Sequence, residues 1–175
     1  MRTLILALGN PILSDDGVAH EVADRLEERL HSSFMKQTAE YDIVKSSAAT
    51  MDIIPLLAGY QRLVVVDAIQ LGSAPPGTVH RFSIADLAST VRPSSPHDIN
   101  FATALQLGRE WGYHIPVDIC IYAIEVKELL RFSGSCTAEV AAQLDEIVER
   151  IFSDLIRKSA FPSRSMYSRK MSATS

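Results

Sequence analysis

Apolar runs of strand length alternate along this chain with stretches in which apolar residues recur every three or four positions. Residues 3–8 (TLILAL) form an unbroken apolar run, the pattern of a strand covered on both faces. Residues 14–30 then put Val18, Val22, Leu26 and Leu30 on one helical stripe, with Ala19 and Ala23 beside it. YDIVKSS (41–47) predicts a second strand. MDIIPLLAGY (51–60) predicts a short helix with Pro55 near its start, and RLVVVDAIQ (62–70) a buried third strand ending in Asp67. PPGTVHRFSI (75–84) reads as a turn and an alternating strand that sets His80 on a side face, away from any cluster. SSPHDINFATALQLGREWG (94–112) predicts a polar turn and a helix with Phe101, Leu105, Gly108 and Trp111 on one stripe. PVDICIYAIEV (116–126) is a further strand. The last patterned stretch, residues 137–156, is a helix burying Val140, Leu144, Ile147, Ile151 and Leu155.

Strands alternating with helices define an α/β chain: three layers, with a mostly parallel, mixed and twisted sheet of about five strands and helices on both faces. No internal repeat or linker divides it, so residues 1–157 are expected to be one domain. The tail 158–175 is basic, serine-rich and poor in patterned apolar residues, which predicts disorder. In open α/β sheets the ligand site lies outside the carboxyl ends of the strands. Asp16, Asp67 and His97 all fall at such ends.

Charge narrows the partners. Of 17 basic and 21 acidic residues, four basic and no acidic ones lie from Lys158 onward, so residues 1–157 hold 13 basic against 21 acidic groups, a net charge of −8. An acidic body argues against nucleic acid as the main partner. No apolar run reaches the roughly 18 residues of a membrane span, and MRTLILALGNP (1–11) lacks the cleavage site of a signal peptide, so a cytoplasmic protein with no membrane insertion is expected. Cys120 and Cys136 fit neither a disulfide framework nor a CxxC pair, and Cys120 reads as a reduced core residue.

The chemistry-bearing stretches are few. LGNPILSDDG (8–17) joins a strand to a helix but lacks both common phosphate-loop patterns, and adjacent carboxylates repel a phosphate. Ser14 or Asp15 can cap the helix, and acidic residues in its first turn are favoured by the helix dipole. HEVAD (20–24) is one residue short of a zinc-protease helix, and its helical position turns His20 and Asp24 toward solvent. No GxSxG elbow or catalytic cysteine context is present. Asp67, closing an apolar strand, either caps the next turn or needs a partner. His97, at a helix start, is either exposed or a neutral imidazole able to bind a metal.

Together these positions resemble the hydrogenase maturation endopeptidases. That family's G-N-x-L/I-x-x-D-[DE]-G block is matched by Gly9, Asn10, Ile12, Asp15, Asp16 and Gly17. Its V-D-A strand end is matched by Val66, Asp67 and Ala68, its G-T-V strand by Gly77 to Val79 with Phe82, and its S-x-H by Ser95 and His97. The resemblance spans residues 1 to about 155. It departs at SSAATMD, where the family has a glycine-rich block, at Ala19, where a glycine is common, and at SGSCTAEV before the last helix.

The resemblance implies an aspartate-type, metal-dependent endopeptidase that trims a C-terminal extension from the large-subunit precursor of a nickel-iron hydrogenase. Asp16, Asp67 and His97 would contact nickel supplied with the substrate and serve catalysis, with zinc or cadmium able to substitute in vitro. Gly9, Asn10, Asp15 and Gly17 would shape the turn, Asp15 as its cap. Two carboxylates and an imidazole suit a borderline divalent ion. The rival readings are a non-cleaving, metal-checking module of the same fold and a small-molecule binder.

Overall fold

The computed structural model describes residues 1–32, 40–47, 50–89 and 98–160. Its centre is a five-stranded sheet in the order β2-β1-β3-β5-β4. β1 (Arg2–Leu8) pairs in parallel with β2 (Glu40–Ser46) and β3 (Arg62–Ile69), and β3 pairs in parallel with β5 (Asp118–Glu125). β4 (Val79–Ser83) runs antiparallel to β5 at the edge and leads into α3 (Ile84–Ser89), completing the mixed sheet expected from the pattern.

The period-two rule assigns the faces. Ile5, Ala7, Val64, Val66, Cys120 and Tyr122 point to one side, where they meet α1 (Val18–Ser32) and α6 (Leu144–Ala160). Leu4, Leu6, Leu63, Val65, Ile119 and Ile121 point to the other, against α2 (Ile54–Leu57) and α4 (Asp98–Glu110). β1, β3 and β5 are buried on both faces, which is why their sequences are continuous apolar runs. The expected stripe of α1 is buried in full, as are the five positions expected in the closing stretch.

Several details depart from the pattern. The closing stretch is broken: α5 (Ala138–Ala141) is one turn, and α6 begins only at Leu144 and runs to Ala160, three residues past the expected domain end. Residues 161–175, most of the tail expected to be disordered, lie outside the described residues. Trp111 follows the end of α4 and is largely exposed, because the chain turns at Gly112, whose φ of 85° ends the helix. Gly108 of the same stripe does pack inward, with a Cβ there meeting Ile115 at 2.9 Å and Ile54 at 3.0 Å. β3 continues two residues beyond Asp67, to Ile69, so that aspartate is inside the strand.

Candidate functional site

The carboxyl ends of β1, β3 and β5 form one rim, and each strand sends the chain past an acidic side chain there. After β1 the backbone makes a tight turn through Gly9 into a single 3-10 turn, Ser14–Gly17, which leads directly into α1. Gly9 has a φ of 141°, and a Cβ on it would stand 2.0 Å from the Asp16 carbonyl oxygen. Only glycine lets the Asp16 backbone approach that closely. Asn10 completes the turn: its Oδ1 accepts from the Ile12 N–H at 3.2 Å, and its carbonyl accepts from the Leu13 N–H at 3.0 Å. Gly17 leaves room for Pro11, whose Cα would lie 3.1 Å from an added Cβ.

The two adjacent aspartates separate sharply. Asp15 is fully buried and makes no cap. Its Oδ2 accepts from the Lys127 N–H at 3.2 Å, the Glu128 N–H at 3.0 Å and the Thr137 hydroxyl at 3.1 Å, and its Oδ1 from the Thr137 N–H at 2.6 Å. The expected capping role is therefore corrected. Leu13 occupies the N-cap position without a side-chain bond, and Asp15 instead ties the first turn to the loop after β5. Asp16 is only partly buried, and its Oδ2 accepts from the Asn10 N–H at 2.7 Å.

Asp67 is 5% exposed, and its Oδ1 accepts from the Ala68 N–H at 2.8 Å. The 3-10 turn carrying Asp16 rests against β3, so both residues belong to the same rim. His97, the third expected member, lies outside the described residues. Among the described residues no three His, Cys, Asp or Glu side chains are grouped to hold one ion.

The pattern missed two groups on this rim. Glu125 closes β5 with 1% of its side chain exposed; its Oε1 accepts from the Leu71 and Gly72 N–H groups at 2.8 and 2.7 Å. Its Oε2 lies 3.2 Å from His80 Nε2. His80 is thus paired with a buried carboxylate, against the expectation that it stands apart. Period two in PPGTVHRF placed His80 and Phe82 on one face, but only the β4–β5 register brings Glu125 beside them. His20 also differs from its solvent-facing assignment, since its Nε2 is buried without a hydrogen-bond partner. Burial lowers its pKa, against the opposing pull of the nearby Ser46 carbonyl. Asp24 on the same face does reach out, pairing with Lys45 at 2.6 Å.

Residues 21–154, more than three quarters of the chain, match the model of the hydrogenase maturation protease family. The chain belongs to that family. It is 25% identical over 156 residues to the hydrogenase 2 maturation protease of Escherichia coli K12, covering 89% of this chain and 91% of that one. Its fold is similar to that of the HybD maturating endopeptidase of E. coli, with a TM-score of 0.72 at 23% identity over 90% of this chain and 94% of the other. The [NiFe] hydrogenase maturation protease HybD of Thermococcus kodakarensis is 26% identical, with a TM-score of 0.68 over 89% and 99% of the two chains.

As a hydrogenase maturation protease, the chain is a hydrolase, and the family match includes Asp67 but begins after Asp16. Cys136 offers this protease no ready thiolate. Cys120 is buried in β5, and the Cys136 thiol is pushed up to about 12 by burial and by Glu21, to which its Sγ donates at 3.4 Å. Among the described residues no helix is long and apolar enough to cross a membrane.

Proposed function

We propose that this protease removes a C-terminal extension from the large-subunit precursor of a nickel-iron hydrogenase once nickel has been inserted, and that it recognises the bound nickel. The observation carrying the reading is that Asp16 and Asp67, far apart in sequence, sit on one sheet rim, each with one carboxylate oxygen held by a backbone N–H. A neutral donor fixes a carboxylate in place without cancelling its charge.

A carboxylate has two oxygens and about four acceptor sites, so it can accept from a backbone N–H and still take part in binding an ion. Hard oxygen donors from Asp16 and Asp67, with His97 as the imidazole donor, suit nickel and accept zinc or cadmium in its place. The donor set therefore fits the ion as cargo of the substrate. Two oxygens on a rim make a weak resident site but a good reader of a metal already held by the precursor. Asp15, in this reading, keeps the loop after β5 in place so that Asp16 keeps its position.

The test mixes the protein with the large-subunit precursor, with and without nickel, and follows the precursor's mass. Loss of a C-terminal peptide only from the nickel-loaded sample is expected. Binding without any mass change in either sample would instead favour a metal-checking module that does not cut.

A further inference from the structure

Asp67, Ala123 and His80 form one row across three strands. Asp67 pairs with Ala123 between β3 and β5, and Ala123 pairs with His80 between β5 and β4. Residues paired across neighbouring strands project from the same face, so the Asp67 carboxylate and the His80 imidazole share a face. Two strand spacings separate their backbones by on the order of 10 Å. Within the sheet, only the methyl group of Ala123 stands between them.

The His80 ring is held from behind. Glu125, two residues along β5 from Ala123, is buried, anchored by two loop N–H groups, and reaches His80 Nε2 at 3.2 Å. An acceptor-only carboxylate at that nitrogen fixes Nε2 as the donor, leaving Nδ1 as the acceptor of the neutral ring. Stacking on Phe82, with centroids 6.1 Å apart and planes 17° apart, fixes the ring plane. His80 Nδ1 has no hydrogen-bond partner among the described residues, and the side chain remains 23% exposed. Carboxylate, oriented imidazole and an open second nitrogen are the parts of a proton-transfer dyad.

We propose that His80, oriented by Glu125, is a catalytic residue of this protease that moves the proton needed to release the cleaved peptide. The proposal rests on the reading that the precursor is cut at the Asp67 end of the sheet. As the water oxygen bonds to the scissile carbonyl carbon, one of its protons passes to His80 Nδ1, and the buried Glu125 stabilises the resulting imidazolium. As the C–N bond breaks, Nδ1 returns that proton to the departing nitrogen. The water's second proton stays with the new carboxyl group, and no further reactant is required. Glu125 is a positioning residue, acting through the imidazole.

Two variants separate this role from a purely structural one. His80→Gln places an amide near the position of Nε2 and keeps a donor for Glu125, but it offers nothing at Nδ1. With nickel-loaded large-subunit precursor, H80Q is expected to bind as tightly as wild type within about threefold and to melt within a few degrees of it. Its single-turnover release of the C-terminal peptide should be slower by about a hundredfold or more. Glu125→Gln should slow release less, with binding retained. H80Q cleaving at the wild-type rate overturns the proposal while leaving the protease reading intact, whereas wild type failing to cleave nickel-loaded precursor overturns both. Should H80Q melt far below wild type, the assigned imidazole resonances of His80 in the wild-type chain are followed as precursor is added. A shift is expected, and unmoved resonances would refute contact with the substrate.

Discussion

The two rims of the sheet treat charge in opposite ways. At the amino ends of the strands, charge meets charge. Arg2 pairs with Asp42 at 3.1 Å and Glu40 at 3.6 Å and lies over the Tyr60 ring, whose hydroxyl donates to Asp42 at 2.8 Å. Beside it Arg62, fully buried, approaches Asp118 at 3.5 Å without making a hydrogen bond. At the carboxyl ends, the carboxylates of Asp15, Asp16, Asp67 and Glu125 are all held by backbone N–H groups. Opposite charges neutralise one another and add modestly to stability at a surface. Backbone donors hold a carboxylate in place without neutralising it, and at Glu125 that charge is turned on His80. The first rim is built as structure, and the second has the make-up proposed for the site.

The comparison breaks most visibly at Asp67 and Asp16. Asp67→Asn and Asp16→Asn each keep an acceptor for the local N–H but remove the charge. Each should lower processing of nickel-loaded precursor by about a hundredfold or more, with melting temperatures close to wild type. Processing rates within a fewfold of wild type would mean that the rim is no more functional than its opposite.

Asp15 should respond in the other currency, stability. Asp15→Ala strands three part-buried N–H groups and a hydroxyl, and is expected to cost about 3–5 kcal/mol, lowering Tm by about 10 °C or more. Thermal unfolding followed by circular dichroism measures this, and a change of less than about 1 kcal/mol would contradict the tether.

The opposite rim should tolerate more. Because the Arg62 nitrogens make no hydrogen bond, an apolar side chain of similar length removes a poorly compensated buried charge. Arg62→Met is therefore expected to lie between neutral and about 2 kcal/mol stabilising in denaturant unfolding. A clear loss of stability would show the pair with Asp118 to be worth more than its geometry suggests.

The smallest effect concerns Asp42, whose pKa is lowered by the Tyr60 hydroxyl and then by Arg2. A carboxyl group held below its unfolded value stabilises the fold above that value, 3.8, and loses its contribution as pH falls through the folded value. Asp42→Asn should thus be slightly less stable than wild type at pH 6, with the gap closing below about pH 4. Unfolding curves across that range test it, and a gap independent of pH would remove the carboxylate from the account.

Periodicity alone was enough for the α/β architecture, because strands buried on both faces must be continuously apolar and helices on a sheet must carry one stripe. The helix break at Ala142 and Gln143 and the exposure of Trp111 escaped that reading, since apolar spacing records which residues face inward and not where the backbone turns. The Gly9–Gly17 block announced a tight turn beside two acids, and the resemblance divided their work, but it made Asp15 a cap. Asp15 meets partners 112 to 122 residues away, in a loop whose polar backbone carries no pattern.

What the sequence determined by itself is local and periodic: the strands, the helical stripes, the glycine turn and the acids at strand ends. What only the tertiary structure decided is which groups share a rim and which partner each one takes. Asp67 and His80 were visible as residues, but their common row depends on β5 inserting between β3 and β4. The physical reason is that strand pairing couples residues tens of positions apart through backbone hydrogen bonds, whose register no side-chain pattern spells out.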